Sequence, residues 1–116
     1  TQMELQSGGE GLLAPGMSLV DAPLEGDNWL SEVVGTGFTL VGFGDVSLPE
    51  VEGIERLGVN QHGDYPCYSA KGSFAEQRYG KALAYLFRPD GHVCASFASP
   101  DTASVSAARE RALGAF

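Results

Sequence analysis

The sequence is short of positive charge, of cysteine and of long apolar runs, and each shortage closes off a class of function. Seven Lys and Arg residues stand against fifteen Asp and Glu, a net charge of -8. Such a surface repels phosphate backbones and anionic headgroups, so neither nucleic acid nor a membrane is an expected partner. No apolar stretch approaches the roughly 20 residues that a membrane-crossing helix needs. The opening residues, TQMELQSGGEGLLAPG, lack a basic segment followed by an apolar one, so no secretory leader is expected and a cytoplasmic setting is favoured. The only cysteines, Cys67 and Cys94, form no CxxC and have no His pair nearby at metal-ligand spacing. They read as two reduced thiols, since a disulfide needs a fold that brings their Cα atoms within about 7 Å.

What the sequence does contain is enough apolar residue for one core in 116 residues. Residues 1–26, rich in Gly, Pro and acidic side chains without a sustained period, read as an extended lead-in or linker, and residues 27–116 as the folded domain. In DNWLSEVVG, Asp27 is placed to cap a short helix, Trp29, Leu30, Val33 and Val34 share a face, and Gly35 stops it in the left-handed conformation. GFTLVGFG, from Gly37 to Gly44, is apolar on both faces and so predicts a central strand covered on each side. After the acidic, Pro-interrupted DVSLPEVE, which declares no element, GIERLGVN alternates as a second strand. QHGDYPCYSAKG reads as a loop. SFAEQRYG offers Ser73 and Glu76 as a capping box and Gly80 as a stop. Ala82 to Phe87 and His92 to Phe97 form a hairpin through Pro89-Asp90-Gly91. In SPDTASVSAARERALGAF, Ser99 is the expected N-cap with Pro100 first in the helix, and Val105, Ala108, Ala112, Leu113 and Phe116 form the buried stripe.

Strand, crossover, strand, helix and an antiparallel hairpin closed by a helix is the layout of a thioredoxin-like α/β sandwich, with a central mixed sheet and flanking helices. The stretches GTGFTLVGFG, RYGKALAYLFRPDGHVCASF and ARERALG, with the lead-in GEGLLAPGMSLVDAPL, resemble the thioredoxin-like C-terminal domain of the FAD-dependent aromatic hydroxylases, the phenol hydroxylase and 3-(3-hydroxyphenyl)propionate hydroxylase group. The resemblance implies a parent enzyme that uses FAD and NAD(P)H to hydroxylate a phenolic ring. It implies as partners a preceding FAD-binding domain of the same polypeptide and contacts between identical subunits. For this domain it implies a structural or subunit-contact role, with no catalytic, cofactor-binding or metal-binding residue of its own.

The residues agree with a non-catalytic reading. Redox thioredoxins need a low-pKa cysteine at the start of the helix after the first central strand, and the corresponding FGDVSLP has none. The glycines of GTGFTLVGFG precede and interrupt a strand, unlike those of a phosphate-binding strand-to-helix turn. Cys67 has no adjoining Lys, Arg or His to lower its pKa, and Cys94 falls in a strand as a small hydrophobe. His92 with Asp90 has the composition of an acid-base pair but reads as a solvated turn, with His62 in a separate loop. Ser47, Ser69 and Ser73 lack a nucleophile elbow. Asp45, Glu50, Glu52 and Glu55 lack calcium-loop spacing and read as a solvated face. Arg88 is expected to pair with Asp90 or a neighbouring domain, and Arg78 and Tyr79 to be structural. Two other functions remain open: a free-standing peroxiredoxin- or thioredoxin-type thiol enzyme using Cys67, and a small protein-interaction module.

Overall fold

In the computed structural model, which describes residues 16–34 and 36–114, the apolar run from Phe38 lies at the centre of a five-stranded sheet. In chain order the elements are β1 (Pro23–Leu24), β2 (Asn28–Trp29), α1 (Leu30–Val33), β3 (Thr39–Gly44), β4 (Glu55–Val59), β5 (Cys67–Tyr68), α2 (Phe74–Tyr79), β6 (Ala82–Phe87), β7 (Val93–Phe97) and α3 (Thr102–Gly114). The order across the sheet is β5-β4-β3-β6-β7, with β3, β4 and β5 parallel, β6 antiparallel to β3, and β7 antiparallel to β6. This is a mixed-sheet, thioredoxin-like α/β sandwich with a C-terminal hairpin. Among the described residues, no helix is long and apolar enough to cross a membrane.

Alternation along the central strands fills both faces. Val41, Phe43, Leu57, Val59, Leu83, Tyr85 and Phe87 face α1 and α2, where Leu30, Ala75 and Tyr79 close the layer. Phe43 stacks on Tyr79 at 4.4 Å, and Tyr85 meets both rings edge-on. Leu40, Ala84, Leu86 and Phe97 face the other way, against Val105 and Ala108 of α3 and against Leu48, Val51 and Ile54. Those last three belong to the β3-β4 connection, so a non-helical segment does part of the work of a covering layer. Pro49 and the alternating acids Glu50 and Glu52 explain why no helical stripe forms there.

Of the expected lead-in, residues 1–15 lie outside the described residues; residues 17–24 run extended along the domain and put Ala22 and Leu24 into the core. Gly16 N–H donates to Val93 O (2.8 Å), Val93 N–H to Met17 O (2.8 Å) and Leu19 N–H to Gly91 O (2.9 Å), all along the outer edge of β7. Val20 then donates its N–H to the Tyr79 hydroxyl (2.9 Å), which donates in turn to Val20 O. Ala22 and Leu24 are fully enclosed. Beyond them, Lys71 N–H bonds Pro23 O (3.0 Å) and Glu25 N–H bonds Ser69 O (2.8 Å), just past β5. The segment is a strap that crosses one face of the sheet from edge to edge.

Local details depart from the sequence reading in instructive ways. Asp27 does not cap α1: it sits at φ 62 in the tight turn between β1 and β2. Asp21 of the strap reaches the helix instead, accepting from Ser31 N–H (2.9 Å) and the Ser31 hydroxyl (2.7 Å). Trp29 is exposed, α1 is a single turn, and Val34 is already extended; the expected stop at Gly35 lies outside the described residues. The segment expected as a loop contains β5. The Ser73-Glu76 box is not formed, since the Ser73 hydroxyl accepts from Gln77 (3.1 Å) and Glu76 faces Lys81, while Gly80 ends α2 at φ 93 as expected. α3 starts later than Ser99 because Asp101 is the better cap: its carboxylate accepts from Ser104 N–H (2.7 Å) and the Ser104 hydroxyl accepts from Asp101 N–H (3.2 Å). Its stripe is Val105, Ala108 and half-buried Ala112; Leu113 is exposed, and Phe116 lies outside the described residues.

Candidate functional site

In open α/β sheets, ligands and catalytic groups gather beyond the carboxyl ends of the parallel strands. Here those ends are Gly44 of β3 and Val59 of β4, and the residues after them enclose an open cleft of about 510 Å³ lined by 44–48, Arg56, 60–62, Asp64 and Tyr65. Its centre is Gln61. The Gln61 amide donates to Gly44 O (2.8 Å) and Val46 O (2.9 Å), and its carbonyl accepts from the Tyr65 hydroxyl (2.6 Å). The side chain lies flat on the sheet because Gly42 and Gly58, register partners on β3 and β4, leave the surface bare. A Cβ at Gly58 would fall 2.6 Å from Gln61 Cγ, and one at Gly42 would fall 3.0 Å from its Nε2.

Arg56 forms the adjoining wall. Its guanidinium lies 4.8 Å above the Tyr65 ring, donates to Leu48 O (3.4 Å) and faces Asp64 at 3.5 Å. Burial, then the neighbouring Cys67 and Asp64, push the Tyr65 phenol up against the opposing pull of Arg56, so the hydroxyl stays neutral and keeps donating to Gln61. The polar groups around Gln61 mainly satisfy one another. They form a clamp that holds the β3-β4 connection onto the sheet, where redox thioredoxins carry a catalytic helix.

The thiols are poorly placed for exchange. Cys67 lies on β5, half-buried, with its Sγ donating to Tyr65 O (3.3 Å). Cys94 lies on β7 at the opposite edge, and four interstrand steps of ~4.8 Å put them ~19 Å apart, beyond any disulfide within the chain. Burial pushes the Cys94 thiol up to about 12. Beyond β3 the strand runs into a loop, without the helix N-terminus on which a Rossmann turn seats a dinucleotide phosphate. Among the described residues, no group of three or more His, Cys, Asp or Glu side chains is placed to hold a metal ion.

Register separates the two histidines. His62 lines the cleft, whereas His92 sits beside the hairpin turn, at the other end of the sheet, because β6 runs antiparallel to β3. Gly91 N–H to Arg88 O and Arg88 N–H to His92 O, both 2.8 Å, close a three-residue loop with Gly91 at φ 84. Arg88 does pair with Asp90, Nε to Oδ1 at 3.1 Å and Nη2 to Oδ2 at 2.6 Å, which holds that carboxyl far below its usual range. Asp45 borders the cleft around Gln61, and Glu50, Glu52 and Glu55 border the neighbouring groove beside Arg56. Arg78 stacks its guanidinium over Phe74 at 5.2 Å, and Tyr79 turns its hydroxyl inward to the strap. The sequence reading missed two residues. Gln61 was signalled only by glycines at matching register in two parallel strands, and Ser18, which packs beside His92, by nothing local.

No protein-family model matches the sequence, and no curated protein matches it. A hypothetical protein from Sinorhizobium meliloti is similar in structure over 71% of this chain and 69% of its own, at 14% identity and a TM-score of 0.49. A likeness of that order carries no argument about function.

Proposed function

We propose that this chain is a redox-inactive thioredoxin-like accessory domain of a cytoplasmic flavin-dependent aromatic hydroxylase, with a structural or subunit-contact role and no catalytic group for the hydroxylation. The parent reaction on this reading is FAD- and NAD(P)H-dependent hydroxylation of a phenolic ring, with both cofactors held by the preceding domain. One observation carries the reading beyond the resemblance of the strand and hairpin sequences. The segment after β3, where dithiol chemistry would require a helix opening on cysteine, is a cysteine-free connection that uses Leu48, Val51 and Ile54 to cover the sheet. The thioredoxin-like scaffold is thereby kept while its redox position is given over to packing.

The test is the native size and colour of the polypeptide that carries this sequence. An antibody raised against the domain is expected to capture a protein several times larger than 12.2 kDa with a flavin absorption spectrum. A colourless protein of the domain's own size overturns the proposal.

A further inference from the structure

Outside the cleft, the fold assembles one cluster of nucleophile, base and acid from segments far apart in sequence. The strap runs antiparallel to the end of the hairpin, and the bridge between Ser18 and His92 sets their side chains next to each other. It is held on both sides by Leu19 N–H to Gly91 O and Val93 N–H to Met17 O. Ser18 Oγ lies 3.4 Å from His92 Nε2, and Asp90 Oδ1 lies 3.2 Å from His92 Nδ1. Asp90 is fixed in turn by the two bonds from Arg88 and by His92 N–H (3.1 Å).

We propose that Ser18, His92 and Asp90 form a serine acyl-transfer site, with Ser18 as nucleophile, His92 as its general base and Asp90 as the group that orients the imidazole. The order of contacts is the one the chemistry requires: hydroxyl to one ring nitrogen, carboxylate to the other. His92 Nδ1 is shut off from solvent, and its nearest acceptor, the Asp90 carboxylate, lies off the ideal hydrogen-bond line. A carboxylate beside that nitrogen favours the tautomer with the proton on Nδ1, which leaves the Nε2 lone pair facing Ser18. The distance of 3.4 Å to the hydroxyl is within the looser range of free enzymes.

The chemistry balances with an acyl donor and water. Ser18 Oγ forms a bond to the carbonyl carbon of an ester as its proton passes to His92 Nε2; the carbon–oxygen bond to the leaving alcohol breaks, and the imidazolium returns the proton to that oxygen. Water attacks the acyl-serine by the same relay, releasing the acid and restoring Ser18. The side chains of Ser18 and Asp90 are exposed beside the hairpin turn, so the substrate class is small activated esters approaching from solvent.

Incubation of the full chain with p-nitrophenyl acetate, followed by intact-mass and peptide-mapping analysis, tests this directly. The expected result is one acetyl group on Ser18, absent in Ser18→Ala. In His92→Gln, which keeps the side chain polar but removes the base, acylation is expected about 100-fold slower, the lower end of what a general base contributes. No acetyl group on Ser18, or a rate unchanged in His92→Gln, overturns the proposal.

Discussion

Replacing Tyr79 with Phe removes one oxygen atom from a side chain that is otherwise wholly enclosed, and it tests whether the strap belongs to the folded unit. The ring stack on Phe43 survives the substitution, so apolar packing is conserved. What disappears is a pair of hydrogen bonds to Val20, one accepted from its N–H and one donated to its carbonyl. Each contributes about 1 kcal/mol net, and loss of both leaves two backbone groups short of a partner in a half-buried segment, for a total of about 2 kcal/mol. In a domain of this size that corresponds to a fall in Tm of roughly 10 °C. Burial holds the Tyr79 phenol well above its ordinary pKa, so the donor persists through neutral and mildly alkaline pH and the effect is expected to be independent of pH there. Urea unfolding should show a lower midpoint at unchanged m, and hydrogen exchange should show the Val20 amide losing protection before those of β3. A loss below ~0.5 kcal/mol with the Val20 amide still protected refutes the reasoning.

Three further perturbations separate the roles described above. Gly44→Ala is expected not to yield folded protein, because its φ is +78 and a Cβ would lie 1.7 Å from Lys81 O; Gly91→Ala, at φ +84 with nothing within 4 Å, should cost only about 1–2 kcal/mol by urea unfolding. Gln61→Ala should cost about 2 kcal/mol and raise hydrogen exchange at residues 44–48, since two hydrogen bonds at the β3 terminus and the one from Tyr65 go with it. Cys94 should resist alkylation in the native protein at pH 8 and react after unfolding. Its folded-state pKa of about 12 lies above the ordinary thiol value of 9.0, so the unfolded chain loses this proton first, and stability should decline as pH rises above 9.0 by an amount that Cys94→Ala abolishes. Pulse alkylation and alkaline melting curves check both parts.

The parts of the fold that were legible were those with a local cause. Two-sided apolar character placed GFTLVGFG at the centre of the sheet, and Pro89-Asp90-Gly91 placed the hairpin turn, because a strand's burial and a turn's φ angles depend on the residues themselves. The strap was not legible, since what orders it is a tyrosine hydroxyl 59 residues further along and the free edge of a strand formed last. β5 escaped for the same reason: two residues become a strand only because β4 offers them a partner. Competing caps a few residues apart misplaced the start of α3, where Asp101 with Ser104 prevailed over Ser99. That the segment after β3 holds no cysteine is visible in the sequence itself, but Gln61 was not legible, because its anchors are carbonyls that carry no sequence signature.

The strap also fixes an order of assembly. Its partners at the start of β7 stand more than seventy residues downstream, so during synthesis residues 16–19 emerge long before the strand that receives them. Residues 16–19 cannot engage until the hairpin has closed, and the closure of Leu19 on Gly91 therefore comes late. A chain halted before residue 91 would have α1, α2 and the strands up to β6 but neither β7 nor α3, and residues 16–19 would lack their partners. One end of the strap is therefore fastened by chain made early and the other by chain made late.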